Sequence, residues 1–240
     1  MEHILVSNIL AHLDLHKILV DCQHGFRARR SCETQLLTLV HELTTGLDNG
    51  KRFDLAILDF SKAFDRVPHK RLLHKLDHSG IRGPALSWIR SFLSEQTQRV
   101  VVDGAMSEEG QVVSGVPQGS VLGPLLFLVF INDLPSCVKS KVRPFADDCI
   151  VYREVKHKKN TKIFQKDLGN LEKWEKKWGM DFHPDKCNIL HVTKKKEVIN
   201  VRHHLKGHIL KTVQSVKYLG LDIHHQLNWD GYIEKNCTKG

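Results

Sequence analysis

This 240-residue chain predicts an α/β fold. Three observations lead there. FDLAILDF is an almost uninterrupted apolar run with the length of a strand buried on both faces. KVRPFADDCIVYRE has the shape of a hairpin, with apolar arms flanking an acidic tip. Around them lie several segments whose apolar residues recur at helical spacing.

From the N-terminus, residues 4–19 predict an amphipathic helix. Residues 33–47 predict another, with Leu36, Leu39, Val40 and Leu43 on one face and Gly46 near its end. The basic turn GFRARRS lies between them. FDLAILDF ends on Asp59 and its following Phe60, and Asp65 comes after SKAF. Residues 71–78 and the segment opened by Gly83-Pro84, with Leu86, Ile89 and Leu93, predict two further helices. RVVVDG and GQVVSG predict short strands joined by a glycine-containing loop, and SGVPQGS is a turn cluster before an apolar helix at 122–132. After the hairpin, residues 161–178 place Phe164, Leu168, Leu171, Trp174 and Trp178 on one helical face and lysines on the other, with Gly179 as the stop. NILHVT and VKYLGLDI predict short closing strands. No internal repeat or low-complexity linker interrupts the pattern, so one continuous fold is expected.

Composition excludes disorder, collagen and coiled coil. The net charge of +9 is unevenly placed: residues 139–217 hold 20 Lys and Arg against 9 Asp and Glu, a surplus of 11 that leaves −2 for the remainder. Such a basic half is suited either to a polyanionic partner, through release of condensed counterions, or to a solvated lysine-rich face. Six cysteines without a CxxC pair, and a start lacking a leader-peptide pattern, lead us to expect free thiols and an intracellular, soluble protein, nucleus or cytoplasm being left open. The apolar run at 121–131 is broken by Gly123 and Pro124 and is too short to span a bilayer, so no membrane partner is expected.

A buried strand ending in Asp59 and a hairpin tipped by Asp147 and Asp148 supply carboxylates that can converge if the strands are neighbours. Oxygen ligands without nearby His or Cys suit Mg²⁺, and two such ions about 3.5–4 Å apart can clamp both oxygens of a phosphoryl transfer. Taken alone, an Asp-Asp pair in a turn is also ordinary turn chemistry.

Eight stretches in order change that weighing: QHGFRARRSCETQL, LDFSKAFDRVPHKRLLHKL, GIRGPALSWIRSFL, QRVVVDG, SGVPQGSVLGPLLFLVFINDLP, FADD, FHPDKC and VKYLGL. With them the chain resembles the polymerase core of non-LTR (LINE-type) retrotransposon reverse transcriptases, from residue 2 to about residue 235. The resemblance implies a right-hand polymerase fold of fingers and palm, with an antiparallel palm sheet backed by helices. It implies partial fingers over 1–50, a palm over 51–200, and a palm–thumb junction over 201–240, with the thumb largely absent.

Residue by residue, the resemblance makes Asp59, Asp147 and Asp148 the metal ligands, Mg²⁺ (two ions) or Mn²⁺ being the cofactor. Phe60 stands where a backbone carbonyl reaches a metal, and Phe64 matches the aromatic gate beneath the sugar of the incoming nucleotide. Gln118 and Gly119 match a loop on template and nucleotide. Arg30, ahead of Arg27 and Arg29, is the first choice to hold the triphosphate, because guanidinium forks fit phosphate oxygens. Lys186 matches a lysine beside the leaving pyrophosphate. Tyr218, Leu219 and Gly220 resemble a primer-supporting segment. The implied partners are an RNA template, a DNA primer and deoxynucleoside triphosphates, joined in retrotransposition. The aromatic at position 64 argues against an RNA-synthesising relative. The histidines 203–204, 224–225, 74 and 78 lack a third ligand and are read as surface residues.

Two departures bear on activity. Pro144 stands where the family has an apolar strand residue, and a proline there is expected to shift or loosen the turn that aims the aspartates. His183 replaces a usual Asn. These, with the short thumb, leave a second reading open: a weak or inactive fragment that only binds nucleic acid.

Overall fold

The computed structural model describes residues 1–94, 96–195 and 201–237. In chain order it contains α1 (Glu2–Leu15), α2 (Cys32–Asp48), β1 (Phe53–Asp59), α3 (His69–His78) and α4 (Gly83–Ser94). Four two-residue strands follow, β2 (Thr97–Gln98), β3 (Val101–Val102), β4 (Ala105–Met106) and β5 (Gly110–Gln111), and then α5 (Leu122–Ile131). The hairpin β6 (Lys141–Phe145) and β7 (Asp148–Glu154) leads into α6 (Lys158–Trp178) and β8 (Asn188–Val192). The chain continues through β9 (His204–Leu205), β10 (His208–Ile209), β11 (Lys211–Val213), β12 (Ser215–Tyr218), β13 (Leu221–His224) and α7 (Asp230–Cys237).

The chain divides into two compact units. One comprises residues 1–20, 61–132 and 178–181; the other comprises 21–60, 133–177 and 182–240. The second is built on a five-stranded sheet in the order β11-β8-β1-β7-β6. It is antiparallel except for β11, which pairs parallel with β8. Its central strand β1 is buried along most of its length, as its apolar run requires. Phe53, Leu55 and Ile57 pack with Leu39, Leu43 and Leu47 of α2 and with Tyr218 and Ile223 of the β12–β13 hairpin. The alternate residue Asp54 faces the other way, where His203 meets the Phe164 ring of α6 edge-on at 5.0 Å.

The first unit is mainly helical and also holds the short strands β2–β5. Helix α5 is apolar all round and accordingly buried nearly throughout. The Glu2 carboxylate accepts from the backbone N–H of Val121 and Leu122 (2.9 and 3.0 Å) and so caps the N-terminal end of α5, where a negative charge suits the helix dipole. The buried Lys75 Nζ bonds the carbonyl of Phe130 and lies 3.7 Å over the Trp178 ring.

Three segments differ from the sequence expectation. Helix α1 stops at Leu15 because Lys17 takes a left-handed φ of 51°, from which the helix cannot continue. VKYLGLDI is a hairpin and not one strand: Leu219 (φ 48°) and Gly220 (φ 87°) supply the two positive φ values of a tight turn between β12 and β13. Asp103 (φ 48°) and Gly104 (φ 81°) do the same between β3 and β4, and β2–β5 pair outside them. Pro144 lies on the edge strand β6, and the register runs through it unbroken, Pro144 opposite Cys149 and Phe145 opposite Asp148. An edge is where a sheet tolerates proline, and here the pairing reaches the turn without a break in register. Among the described residues no helix is long and apolar enough to cross a membrane.

Candidate active site

Asp59 is the last residue of β1 and sits directly opposite Asp148, the first residue of β7. Opposed residues of an antiparallel pair send their side chains to one face, so the two carboxylates share it. Asp147 precedes Asp148 in a two-residue turn whose first member, Ala146, has φ 51°. The three carboxylates act on one another: burial, then the negative charges of Asp147 and Asp59, raise the pKa of Asp148 above the ordinary carboxylate value.

The segment FHPDKC returns beside them. The His183 N–H donates to the Asp59 carbonyl (2.9 Å), and the Asp59 N–H donates to Cys187 Sγ (3.5 Å). This pins the strand end from both sides, with the buried Cys187 thiol pushed up to about 11 chiefly by desolvation. The same segment brings Lys186 Nζ to 3.5 Å from Asp59 Oδ2, an oxygen that has no hydrogen-bond partner. Phe60 is buried, its ring stacked on Phe182 at 4.5 Å.

An all-carboxylate donor set, an orphaned oxygen and a carboxyl whose proton affinity is raised by burial and then by like charges fit a hard divalent cation. Among the described residues no three His, Cys, Asp or Glu side chains stand in metal-holding positions as they are.

Two residues that the sequence reading passed over hold the aspartate turn. Gln23 is buried, and its Oε1 accepts from the N–H of Gly25 (2.7 Å) and of Ala146 (3.2 Å). A Cβ on Gly25 would lie 2.5 Å from the Ala146 nitrogen, so only glycine allows this approach. Both lie in QHGF, next to the arginines that drew attention, but nothing in a spacing of 123 residues announces their contact with the hairpin. Arg30 is committed to Asp21, bonding its carbonyl and its carboxylate (3.2 Å), and reaches the Gln23 carbonyl at 3.4 Å.

Tyr218 is buried rather than presented to solvent. Its hydroxyl donates to the Arg143 carbonyl (3.2 Å) and meets Gln35 Nε2 at 3.3 Å, while Leu219 and Gly220 form the turn already described. Within the other unit, Phe64 stacks on Phe127 at 4.5 Å, and Gln118 Nε2 donates to Asp65 Oδ1 at 3.0 Å next to the exposed Gly119.

His203 overturns its reading as a surface histidine. It is 1% exposed and bonds Asp54 Oδ2 at 3.3 Å, while His191 Nδ1 bonds Oδ1 at 2.8 Å and Arg52 Nη2 pairs with the same carboxylate at 2.9 Å. Burial would raise the Asp54 pKa; the hydrogen bonds from both histidines and the charges of His191 and Arg52 outweigh it and hold that carboxyl well below the usual range.

The family model described as reverse transcriptase (RNA-dependent DNA polymerase) matches residues 1–223. The chain is 31% identical to the RNA-directed DNA polymerase from mobile element jockey of Drosophila melanogaster, over 97% of this chain and 26% of the relative. It is 28% identical to the probable RNA-directed DNA polymerase from transposon X-element of the same organism, over 99% of this chain and 27% of the relative. The chain thus spans about a quarter of the length of these curated relatives. Among solved structures, apo telomerase from Candida tropicalis truncated from its C-terminal domain superposes with a TM-score of 0.61 at 12% identity, covering 93% of this chain and 44% of that one. Telomerase from the same organism in complex with a fragment of telomeric RNA gives 0.56 at 13% identity, over 81% and 32%. These likenesses bear on the fold alone, and the fold is the right-hand polymerase type expected from the sequence.

Proposed function

This chain belongs to the reverse transcriptase (RNA-dependent DNA polymerase) family, and we propose that it is the core of an RNA-directed DNA polymerase acting in retrotransposition. It would join a deoxynucleotide to a primer 3′-OH on an RNA template. The observation that carries this reading is the gathering of Asp59 and Asp148 on one face with Asp147 beside them. In this reading residues 1–50 are partial fingers, 51–200 palm and 201–240 the palm–thumb junction; residues 95, 196–200 and 238–240 of those spans lie outside the described residues.

Asp59, Asp147 and Asp148 would hold divalent ions, Mg²⁺ or Mn²⁺. When bound, such ions supply positive charge to the phosphate oxygens and acidify the attacking hydroxyl. In the reaction the primer oxygen would form a bond to the α-phosphorus as the bond to pyrophosphate breaks, and the hydroxyl proton would pass to solvent water. Lys186 would turn from Asp59 to offer its ammonium charge, or a proton, to the departing pyrophosphate. Arg30 would release Asp21 to meet the triphosphate, Phe64 would crowd a 2′-hydroxyl, and Gln118 with Gly119 would contact template and nucleotide. The backbone at Tyr218, Leu219 and Gly220 would support the primer end.

The test is extension of oligo-dT on poly-rA by the purified chain with Mg²⁺, beside Asp59→Asn. The expected result is templated incorporation that falls by at least about a thousandfold in the variant, in line with loss of a charge-stabilising group at the reacting centre. Equal incorporation by both would remove the metal site from Asp59. Nucleic-acid binding without incorporation by either would select the second reading, a binding fragment.

A further inference from the structure

At the opposite end of β1 from Asp59, the same unit contains a cavity of about 600 Å³, a size within the range of ligand sites. Phe53 forms part of its wall, and six residues of strand at roughly 3.3 Å each put it about 20 Å from the carboxylates. Five cationic side chains line it, Lys51, Lys139, Lys141, Arg153 and Lys156, against two carboxylates, Glu42 and Glu154. Each carboxylate is already shared. Glu154 lies 3.3 Å from both Lys51 and Lys156, and Glu42 serves Lys141, Arg143 (3.2 Å) and the Tyr152 hydroxyl (2.6 Å). The lining therefore carries an excess of positive charge that its own acids do not balance.

Arg153 sharpens the point. Among the described residues its buried Nε has no hydrogen-bond partner, and its Nη1 lies 3.5 Å from Ser140 Oγ and 3.9 Å from Asp167 Oδ2. A buried donor without an acceptor is costly unless something fills the place. The lysines keep their ammonium groups largely in water, with Lys141 and Lys156 about two-thirds exposed, so their ion pairs exchange partners at little cost.

We propose that this cavity binds the phosphodiester backbone of a nucleic-acid strand, as an anchor separate from the carboxylate site. Phosphate oxygens would accept from Arg153 and draw Lys139 and Lys156 off the surface, fixing the strand's position without reading its sequence. The inference does not depend on catalysis, and its test needs none.

Fluorescent single-stranded RNA and DNA oligonucleotides of one sequence would be titrated in EDTA, where no divalent ion is available to the aspartates. The proteins are the parent chain, a Lys139→Gln/Arg153→Gln/Lys156→Gln variant, and a Lys17→Gln/Lys195→Gln/Lys211→Gln variant that removes equal charge elsewhere. Loss of three phosphate contacts lowers the slope of log affinity against log salt by about 2 and affinity by roughly tenfold or more near 0.1 M salt. The charge-matched variant should keep the parent's slope. In the parent, acylation footprinting should show Lys139 and Lys156 protected by the oligonucleotide and Lys17 unprotected, a result that does not depend on how any variant folds. Whether the RNA or the DNA arm responds identifies the strand. Equal losses in the two variants together with unprotected Lys139 and Lys156, or no binding by the parent, would overturn the proposal.

Discussion

The two ends of β1 each carry an aspartate, and the protein treats them in opposite ways. Asp54, near the start, is wholly buried, yet Arg52, His191 and His203 surround it and hold it ionised. Asp59, at the end, faces Asp148 across the ladder with Asp147 nearby, and Lys186 at 3.5 Å is its one ion-pair partner among the described residues. An odd spacing of five also sends them to opposite faces of the sheet. The same residue type on one strand is thus neutralised where it supports the fold and left short of positive charge at the end where we propose that a cation is held. Position in a strand does not decide which; the partners brought from β8 and from the loop at 203 do.

The comparison breaks most visibly at Asp54. Asp54→Asn leaves the buried Arg52 without its counter-charge, so the expected loss is about 3–5 kcal/mol, a fall in Tm on the order of 10 °C, measurable by thermal unfolding followed with circular dichroism. The parent should show the same dependence on pH. A carboxyl whose folded pKa lies below its unfolded value near 3.8 adds stability above that value, and this stability is lost as pH falls through the folded value. An Asp54→Asn variant that melts with the parent and shows the same acid limb would mean that the cluster contributes nothing.

The carboxylate end is expected to fail through geometry before stability. Gly25→Ala forces a Cβ against the Ala146 nitrogen and should cost about 1–3 kcal/mol. The displaced turn should lower single-nucleotide incorporation by roughly a hundredfold, since about 1 Å of misplacement is enough. Gln23→Met removes the acceptor without the clash and should move the rate in the same direction. Unchanged rates in both would separate this contact from the reaction.

Asp148→Asn sharpens the contrast in sign. Because the folded pKa of Asp148 is raised, its ionised form opposes folding above that pKa, whereas its protonated form favours folding below the unfolded value. Removing its charge at neutral pH should raise stability by on the order of 0.5 kcal/mol after solvent screening, about 1–2 °C in Tm, while incorporation is lost. A fall in Tm would show that the aspartates do not repel one another. The smallest effect is expected at Pro144. With the register intact and the strand at the edge, Pro144→Leu should change the incorporation rate by less than about threefold; a larger gain would show that the proline does disturb the turn.

Much of the fold could be read from local pattern. The continuous apolar run and length of FDLAILDF, the acidic hairpin and the helical faces each depend on neighbours within a few residues, and each was found within a few residues of its expected place. The splitting of VKYLGLDI was harder, because Leu219 takes a left-handed φ that leucine rarely adopts. Of the candidate site, the approach of Asp59 to Asp148 could be anticipated from a strand end and a hairpin tip, whereas the roles proposed for these residues and for Lys186 came only from the family resemblance. Gln23, Gly25 and Cys187 were not legible, since a glutamine acceptor, a missing Cβ and a thiol gain meaning only from what lies against them.

By itself, then, the sequence determined the α/β class and the order of the elements, because backbone preference and hydrophobic period act over short stretches of chain, and its eight motif stretches carried the family resemblance and with it the acidic residues at the strand ends. The tertiary structure alone decided that His203 is buried against Asp54, that Gln23 holds the aspartate turn, that Pro144 falls on an edge, and that five cations line a cavity about 20 Å from the carboxylates. Those facts depend on pairs of residues up to 149 positions apart. Sheet register and chain reversal bring such pairs together, and side-chain packing and charge then settle what each residue does.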